Sequence, residues 1–339
     1  MKLGIIGLPK SGKTTIFELL TKNFPENPNR MEHRIGTIKV PDSRVDVLSK
    51  MYKPKKTIFA QVEYYLPGKM ETKREQIWNQ VRDCDALIHV VRNFEAYDDQ
   101  KIDLLKDFKA LDQELIFADL VVAEKKLEYF KTEKKRGRKF DEKEYEKLET
   151  CHQLLEEEIP LRSSPELSTA KVLKGYTFLS AKPILILFNN DDEAEAIPEV
   201  EALTSTENCV AIRGKLEHEI TQMSREDAGD FMVEFGIQAL ATDTIIEKSY
   251  DLLGLISFFT VGEDEVRAWT IRKETAAVDA AEAIHSDIKK GFIRAEVLYY
   301  DDLMDAGNYV EARKKGTVRL EGKTYIVKNG DIINFRFNV

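Results

Sequence analysis

Gly7-Leu8-Pro9-Lys10-Ser11-Gly12-Lys13-Thr14 is the stretch of sequence that decides the fold. It matches the pattern GxxxxGK[ST] at every fixed position. Residues 1–8 are predicted to form a short buried strand, and residues 13–22 a helix with one apolar face. Because a strand, a glycine-rich loop and a helix follow one another in the required order, the stretch predicts a site for nucleoside phosphates.

Each residue type in this loop has a physical role in holding phosphate. Gly7 and Gly12 let backbone N–H groups close around phosphate oxygens, and the N-terminus of the following helix adds partial positive charge. We expect Lys13 to reach the β- and γ-phosphates as the catalytic cation and Thr14 to bind Mg²⁺, with ATP or GTP as the nucleotide. Further contacts are expected from Pro9, Lys10, Ser11 and Thr15.

Apolar runs outside the loop predict a mostly parallel sheet. Ala86–Val91 and Pro183–Phe188 are continuous apolar strands, and Val210–Ile212 is a shorter one. Thr37–Val40 and Ile58–Tyr65 are the other strands predicted in this part. Because helical segments separate such runs, the pattern indicates an α/β domain whose sheet is covered on both faces.

A long charged segment between two of these strands predicts an insertion. From about Asp103 to Glu158 apolar residues recur at helical spacing, and the basic run Lys134–Lys139 interrupts them. We therefore expect two long helices joined by a basic tip, a helical hairpin inserted into the sheet domain. The tip either contacts RNA phosphates or is a solvated turn balanced by nearby acidic side chains. Its cations are Lys131, Lys134, Lys135, Arg136, Arg138 and Lys139.

The segment after about Gly254 predicts a small domain of mixed α and β structure. Ser257–Thr260 and Ala268–Ile271 form a candidate strand pair, and Thr275–Ile284 a helix. Further short strands are expected at Arg294–Tyr299, Val318–Leu320, Tyr325–Val327 and Ile332–Phe337. The predicted domains are thus residues 1–98 and 177–255 for the phosphate-binding domain, 99–176 for the hairpin and 256–339 for the C-terminal domain.

The composition excludes several classes of protein. The 339 residues are 42% hydrophobic and 33% charged, which is typical of globular proteins and excludes disordered, collagen-like and disulfide-scaffold chains. A net charge of -9 disfavours general nucleic-acid affinity, and nothing argues for DNA. No run approaches the ~20 apolar residues of a membrane-spanning helix. The three scattered cysteines, Cys84, Cys151 and Cys209, fit a reducing compartment, so a cytoplasmic protein is expected.

Longer motifs extend over nearly the whole chain. They are Gly4–Pro9, Val40–Arg44, Tyr52–Lys56, Asp85–Arg92, Ala118–Leu120, Phe258–Gly262, Glu265–Thr270, Lys290–Val297 and Asn329–Val339. In these motifs the chain resembles the YchF / Obg-like ATPase family of TRAFAC-class P-loop proteins. The resemblance implies a G domain, an inserted helical hairpin and a C-terminal TGS-type domain. It also implies an NTPase that prefers ATP over GTP and associates with ribosomes.

The chain departs from the family pattern in both switch segments. The position of the family's switch I threonine is occupied by Arg30, and Tyr65 replaces the aspartate of the DxxG segment that ends at Gly68. Both family residues support the metal shell, so we expect nucleotide binding to persist better than hydrolysis. Glu63 and Glu32 are the candidates for a replacement carboxylate.

Base recognition is expected directly after the strand Pro183–Phe188. One register places Asn189-Asn190-Asp191-Asp192 there, and its fourth residue matches the Asn-Lys-x-Asp of guanine-specific proteins. A carboxylate at that place accepts two hydrogen bonds from guanine, and adenine lacks the donor pair. A shift by one residue gives Asn190-Asp191-Asp192-Glu193, the family's Asn-x-x-Glu, so both bases stay open. Gly214-Lys215 matches the last base-contacting loop of the family.

These observations support one leading function and several alternatives. The leading one is a nucleoside triphosphate-binding protein with slow or partner-activated hydrolysis that acts with a ribosome or RNA. The alternatives are a competent ATPase with a rebuilt metal site and a non-enzymatic adaptor whose nucleotide is structural. A small-molecule kinase would share the loop, but the C-terminal motifs argue against it.

Overall fold

The computed structural model describes residues 1–25, 32–68, 74–95, 101–235, 237 and 239–338. The strands are β1 (Lys2–Ile6), β2 (Arg34–Lys39), β3 (Lys56–Ile58), β4 (Gln61–Leu66), β5 (Ala86–Asn93), β6 (Ile184–Asn190), β7 (Asn208–Ile212), β8 (Leu255–Val261), β9 (Glu265–Arg272), β10 (Phe292–Tyr299), β11 (Arg319–Glu321) and β12 (Asp331–Phe337). 

The α-helices are α1 (Lys13–Thr21), α2 (Ser43–Tyr52), α3 (Arg74–Val81), α4 (Leu104–Lys135), α5 (Glu142–Glu156), α6 (Pro165–Ser168), α7 (Glu201–Thr204), α8 (Gly214–Gln222), α9 (Arg225–Glu234), α10 (Ala241–Leu252), α11 (Ala277–Ile284), α12 (Ser286–Lys290), α13 (Tyr300–Ala306) and α14 (Tyr309–Lys314). Two 3-10 helices, Leu161–Ser163 and Lys171–Tyr176, lie between α5 and β6.

The first sheet brings the carboxyl ends of its central strands to one edge. Within the described residues its order is β2-β4-β1-β5-β6-β7. β1 is parallel to β4 and β5, and β6 is parallel to β5 and β7. β6 is buried along its whole length, as the continuous apolar run Ile184–Phe188 predicts for a strand covered on both faces. The segments after β1, β5, β6 and β7 therefore lie close together, which is where α/β sheets bind ligands.

The inserted hairpin forms as the helical spacing predicts. α4 runs for 32 residues and begins at an Asp103 cap whose side chain accepts from the Lys106 N–H. The hairpin has its own core between α4 and α5, which includes Leu127, Phe130 and Leu148. The predicted α/β fold with a parallel sheet, an inserted helical hairpin and a small C-terminal α+β part is confirmed.

Buried carboxylates anchor the hairpin to the sheet domain. Asp119 is fully buried in α4 and accepts from the N–H groups of Leu179 (2.9 Å) and Ser180 (2.7 Å) just before β6. Asp112 makes a two-point ion pair with Arg162, with N···O distances of 2.8 and 2.9 Å. Such planar charge-assisted pairs fix orientation as well as distance, so α4 is held in one position against the segment before β6.

His89 is a structural residue of β5 and is buried in the core. Its ring stacks on Phe108 of α4 with ring centroids 5.2 Å apart. Burial, together with the positive charges of Arg162 and Lys13, lowers the pKa of His89 to about 3. The imidazole is therefore neutral in the core at physiological pH.

The second sheet has the order β11-β10-β12-β8-β9-β3 within the described residues. β8 and β9 are antiparallel, which confirms the predicted strand pair, and β10 pairs antiparallel with β11 and β12. Its core packs α11 against the sheet around Ala280 and Phe292. Tyr325–Val327 is not a strand, so that prediction is wrong: Ile326 makes only an isolated bridge to Ala276.

The predicted single strand Ile58–Tyr65 is two strands in different sheets. β3 pairs in parallel with β9, whereas β4 pairs in parallel with β1. Phe59 and Ala60 separate them, and the Ala60 carbonyl accepts from the N–H of Val40. Apolar patterning indicates that residues are in strands, but it does not indicate which sheet a strand joins. The sequence therefore did not predict the break at Phe59 and Ala60.

The chain divides into two compact units. One comprises Met1–Thr37 and Glu63–Ile245, and the other Ile38–Val62 and Ile246–Val339. The hairpin lies in the first unit, and residues 38–62 lie in the second because β3 belongs to its sheet. The four-part boundaries expected from the sequence stay a prediction, and these units differ from them at residues 38–62 and 246–255. Among the described residues, no helix has the length and apolarity that a bilayer crossing needs.

Glu217 of α8 makes the stability of the first unit depend on pH. Its carboxylate accepts from the N–H of Ala241, and burial raises its pKa to about 7. The folded state therefore holds a proton that the unfolded state releases near pH 4.5, so stability falls as pH rises from about 4.5 to about 7. Between these two pH values the native protein loses stability and Glu217→Gln does not. We therefore expect the free energy of unfolding of Glu217→Gln to rise by up to about 3 kcal/mol relative to that of the native protein.

Urea unfolding at about pH 5 and about pH 8 measures this difference. Glu219→Gln, at an exposed position of the same helix, is the matched control. Its stability should depend on pH as that of the native protein does. Equal pH dependence for the native protein and Glu217→Gln would contradict the assignment.

Candidate functional site

The loop between β1 and α1 has a backbone shape that only glycine permits at two positions. Gly12 has φ of 94°, and a Cβ there would lie 2.2 Å from Nδ2 of Asn189. A Cβ on Gly7 would lie 2.5 Å from the carbonyl oxygen of Val90. Because both approaches are to parts of neighbouring strands, the two glycines set how closely the loop packs on β5 and β6.

The cation and the hydroxyl expected from the motif stand at the start of α1. Lys13 Nζ donates to the carbonyl oxygens of Gly7 (3.0 Å) and Leu8 (2.7 Å), so its charge is held over the loop. Thr14 is exposed in the first turn. No side chain caps α1 at Gly12, so its first N–H groups face the loop without a capping oxygen.

The remaining loop residues differ in exposure. Lys10 is exposed and has φ of 63°, and Pro9 is exposed beside it. Thr15 lines the cavity described below. Ser11 is buried, and its Oγ has no hydrogen-bond partner among the described residues. The structure therefore brings all the loop residues expected from the motif to one place.

Asn189 joins the loop to the start of α8. Its side chain is 5% exposed at the end of β6. Nδ2 donates to the Ser11 carbonyl (3.1 Å), and Oδ1 accepts from the N–H of Gly214 (3.1 Å). One amide thus connects three segments that are far apart in the sequence, so Asn189 is a positioning residue of the site.

The side chain of Asn190 bonds to the segment that follows β6 and not to the phosphate loop. Its Nδ2 donates to the carbonyl oxygens of Ala194 and Ala196, both at 2.8 Å, and its Oδ1 accepts from Asn93. These bonds shape the turn that follows β6. Asn189, and not Asn190, therefore faces the phosphate loop.

A cavity of about 550 Å³ opens beside the loop. At its rim, Asp192 Oδ2 lies 3.3 Å from Lys215 Nζ. The lining residues are Gly12, Thr15, Phe94, Glu95, Asn189, Asn190, Asp191, Asp192 and Lys215. Its size suits a small ligand such as a nucleobase with its sugar.

The sequence motif did not indicate Phe94 or Glu95 as cavity residues. They follow β5, whose carboxyl end lies beside that of β6. The signal that finds them is topological: ligand sites of parallel sheets lie past the carboxyl ends of adjacent strands.

The switch II position is occupied by a packed tyrosine. Tyr65 is 6% exposed, its ring stacks on His33 with centroids 5.4 Å apart, and its hydroxyl donates to Gln80 Oε1. The Gly68 N–H donates to the same Gln80 oxygen. Tyr65 therefore supplies packing and no carboxylate at this place.

Neither candidate for a replacement carboxylate is supported by its position. Glu63 pairs with Lys2 at the beginning of β1, roughly 16 Å along the strand from Gly7. Glu32 is exposed, and Arg30 lies outside the described residues. Within the described ranges, no three His, Cys, Asp or Glu side chains are grouped to hold a metal ion.

The hairpin tip is basic and exposed. Residues 131–139 contain six basic side chains and one acidic one. The acidic residue, Glu133, accepts from Arg138 at 3.0 Å and from Arg136 at 3.2 Å. The tip thus presents positive charge on a chain whose net charge is -9.

Comparisons with known proteins agree over the whole chain. The family model YchF-GTPase_C, described as "Protein of unknown function (DUF933)", matches residues 255–338. The chain is 37% identical to the ribosome-binding ATPase YchF of Bacillus subtilis, covering 99% of each chain. It is 35% identical to the ribosome-binding ATPase YchF of Escherichia coli O157:H7, covering 100% of this chain and 99% of that one.

A solved structure extends this likeness to the fold. The Schizosaccharomyces pombe YchF GTPase matches with a TM-score of 0.84 at 27% identity, covering 99% of this chain and 97% of that one. Full-length similarity in both sequence and fold shows that the chain belongs to the YchF family.

Proposed function

We propose that the chain binds a nucleoside triphosphate at residues 7–15, hydrolyses it slowly or when a partner activates it, and acts with the ribosome. The observation that carries nucleotide binding is the loop geometry: a glycine-shaped backbone, the Lys13 cation and an uncapped helix N-terminus meet in one place. The relatives are named ribosome-binding ATPases and a GTPase, which supports the same reading.

The residues fit a bound triphosphate. A Cβ at Gly7 would collide with the Val90 carbonyl oxygen, and one at Gly12 with the Asn189 side chain. The backbone shape of the phosphate loop therefore depends on both glycines. Lys13 neutralises phosphate charge, and the N–H groups at the start of α1 donate hydrogen bonds to phosphate oxygens. Asn189 keeps the loop at a fixed distance from α8 and so keeps the cradle next to the cavity.

The donor set for Mg²⁺ is poor, which is why we propose slow hydrolysis. Mg²⁺ in such sites is held by one or two protein oxygens together with phosphates and water. Thr14 supplies a hydroxyl, but Tyr65 stands where the family has a carboxylate and is packed instead on His33. Catalysis of phosphoryl transfer depends on a firmly bound metal ion and on exact positioning of the phosphates. The residues of this chain therefore favour nucleotide binding over turnover.

Partner binding is proposed for the basic hairpin tip. RNA carries one negative charge per phosphate, and clustered lysine and arginine side chains bind it by releasing counterions. Residues 131–139 form such a cluster at the exposed end of α4. A ribosome offers RNA at its surface, so the tip is our proposed contact.

Three finer assignments belong with this proposal. Residues 256–339 form a TGS-type domain, supported by the packing of α11 against β-strands of the second sheet. Mg²⁺ accompanies the nucleotide, with Thr14 as its protein ligand. The protein works in the cytoplasm, supported by its thiol cysteines and by the ribosome-binding relatives.

Removing the loop cation tests the nucleotide site. Lys13→Ala should weaken binding of the triphosphate by about 10- to 100-fold, because charge-assisted hydrogen bonds are lost. Binding is measured by titration calorimetry with ATP and GTP in the presence of Mg²⁺, and turnover by phosphate release in the same preparation.

Lys109→Ala, at an exposed position of α4, is the matched control and should bind as the native protein does. Equal nucleotide affinity in Lys13→Ala and the native protein would refute the site. Rapid Lys13-dependent turnover without a partner would refute slow hydrolysis while leaving binding intact.

Reversing charge at the tip tests the ribosome contact. Lys134→Glu combined with Lys135→Glu should weaken association with ribosomes by about tenfold and reduce its salt dependence, because two phosphate contacts become repulsive. Cosedimentation with ribosomes between about 0.05 and 0.2 M salt measures both effects.

The control is the exposed lysine pair at the end of α14, changed as Lys314→Glu and Lys315→Glu. It makes the same change in net charge at residues that are not part of the hairpin. Equal losses in the two double variants would show that net charge, and not the tip, governs association.

A further inference from the structure

One face of α4 carries exposed apolar side chains in a continuous stripe. Phe117 is 64% exposed and Tyr129 53%. Residues three or four positions apart share a face of a helix. By that spacing the apolar members of the stripe are Ala110, Phe117, Ala118, Val121, Val122 and Tyr129. Single exposed apolar side chains need no explanation, but a contiguous group of them marks a contact surface.

The helix α3 lies beside this stripe and forms a groove with it. The groove has a volume of about 640 Å³, and its walls include Trp78 of α3 and Phe117 and Val122 of α4. Arg82 of α3 donates to the buried carboxylate of Asp119 in α4 at 3.1 Å. Because this ion pair joins the two helices, the groove is a preformed surface with an apolar wall on each side.

The charged residues within the stripe make it complementary to a second copy of itself. Glu114 and Lys125 lie on the same face, one on each side of the apolar centre. In an antiparallel pair related by a two-fold axis, a step toward the N-terminus of one helix matches a step toward the C-terminus of the other. Setting Ala118 opposite Val121 therefore sets Glu114 opposite Lys125 of the second copy, and the two-fold axis repeats this ion pair.

The same register also suits the apolar side chains. Ala118 and Val121 are half-buried residues near the centre of the stripe, and the small alanine lets two helices approach closely. Phe117 lies opposite Val122 of the second copy, which lines the groove there. The remaining apolar pair is Ala110 with Tyr129. A parallel arrangement would instead set glutamate against glutamate and lysine against lysine, so the charges favour the antiparallel one.

We propose that this face of α4 is a contact between two copies of the chain, whose α4 helices pair antiparallel. Phe117 of each copy enters the groove between α3 and α4 of the other. Residues 110–129 span about 29 Å of helix. One helix face per copy buries less area than a standard interface, so we expect a weak dimer with a dissociation constant on the order of 10–100 µM. The two basic hairpin tips point in opposite directions in this arrangement.

Sedimentation equilibrium of the full chain from about 5 to about 500 µM tests the contact. The native protein should change from monomer to dimer over this range. Phe117→Ala should weaken dimerisation by about tenfold or more, because it removes the largest apolar side chain of the stripe. Lys109→Ala, at an exposed position on another side of α4, is the matched control and should dimerise as the native protein does.

Exchanging the two charges tests the antiparallel register. Glu114→Lys alone should weaken dimerisation by about tenfold, since it sets lysine against lysine at both ends of the contact. Lys125→Glu alone should have the same effect with glutamates. The combined variant should dimerise as the native protein does, because both ion pairs form again with their signs exchanged. Within one helix the two positions are about 16 Å apart, so this restoration reports on the contact between copies.

A native dimer that each single change weakens and the combined change restores would uphold the inference. A native protein that stays monomeric up to about 500 µM would overturn it. A dimer that Phe117→Ala leaves unchanged would also overturn it. So would a combined variant that dimerises as weakly as the single ones while its circular dichroism matches that of the native protein.

Discussion

The side-chain amide of Asn189 is the interaction on which the site depends. The phosphate loop, the end of β6 and the start of α8 are separate segments, and each would be free to shift without a link between them. Nδ2 holds the Ser11 carbonyl, and Oδ1 holds the Gly214 N–H. Both bonds are buried, where a lost partner leaves a polar group unpaired at a cost of about 1–3 kcal/mol. The amide therefore fixes the loop, the cavity and the helix terminus as one arrangement.

This arrangement depends in turn on how the sheet is supported. Parallel strands align their carboxyl ends only when their register is fixed, and here continuous buried strands fix it. The hairpin contributes from outside, because Asp119 binds the backbone just before β6. These bonds hold the segment that leads into β6 in one position relative to α4.

The sequence predicted the parts of this structure that are encoded locally. The loop was predictable because two glycines, a lysine and a threonine at fixed spacing have one common use. The hairpin was predictable because helical spacing persists from Phe108 to Phe130. The parallel strands were predictable because their apolar runs are unbroken.

The parts that the sequence did not predict depend on contacts between distant residues. The division of Ile58–Tyr65 between two sheets depends on pairing with β9 and β1, which lie on opposite sides of it in the sequence. Which asparagine faces the phosphate loop depends on Asn189 meeting Ser11, which is 178 residues away. Tyr65 and Glu63 illustrate the same limit, since neither residue type reveals that one is packed on His33 and the other lies at the far end of β1.

A crystal structure with a slowly hydrolysed nucleoside triphosphate analogue and Mg²⁺ tests the central claim most directly. We expect phosphates on the backbone of residues 7–15, with the bonds from Asn189 to Ser11 and Gly214 retained. Phosphates bound away from the loop, or loss of the two Asn189 bonds while phosphates occupy the loop, would contradict the claim.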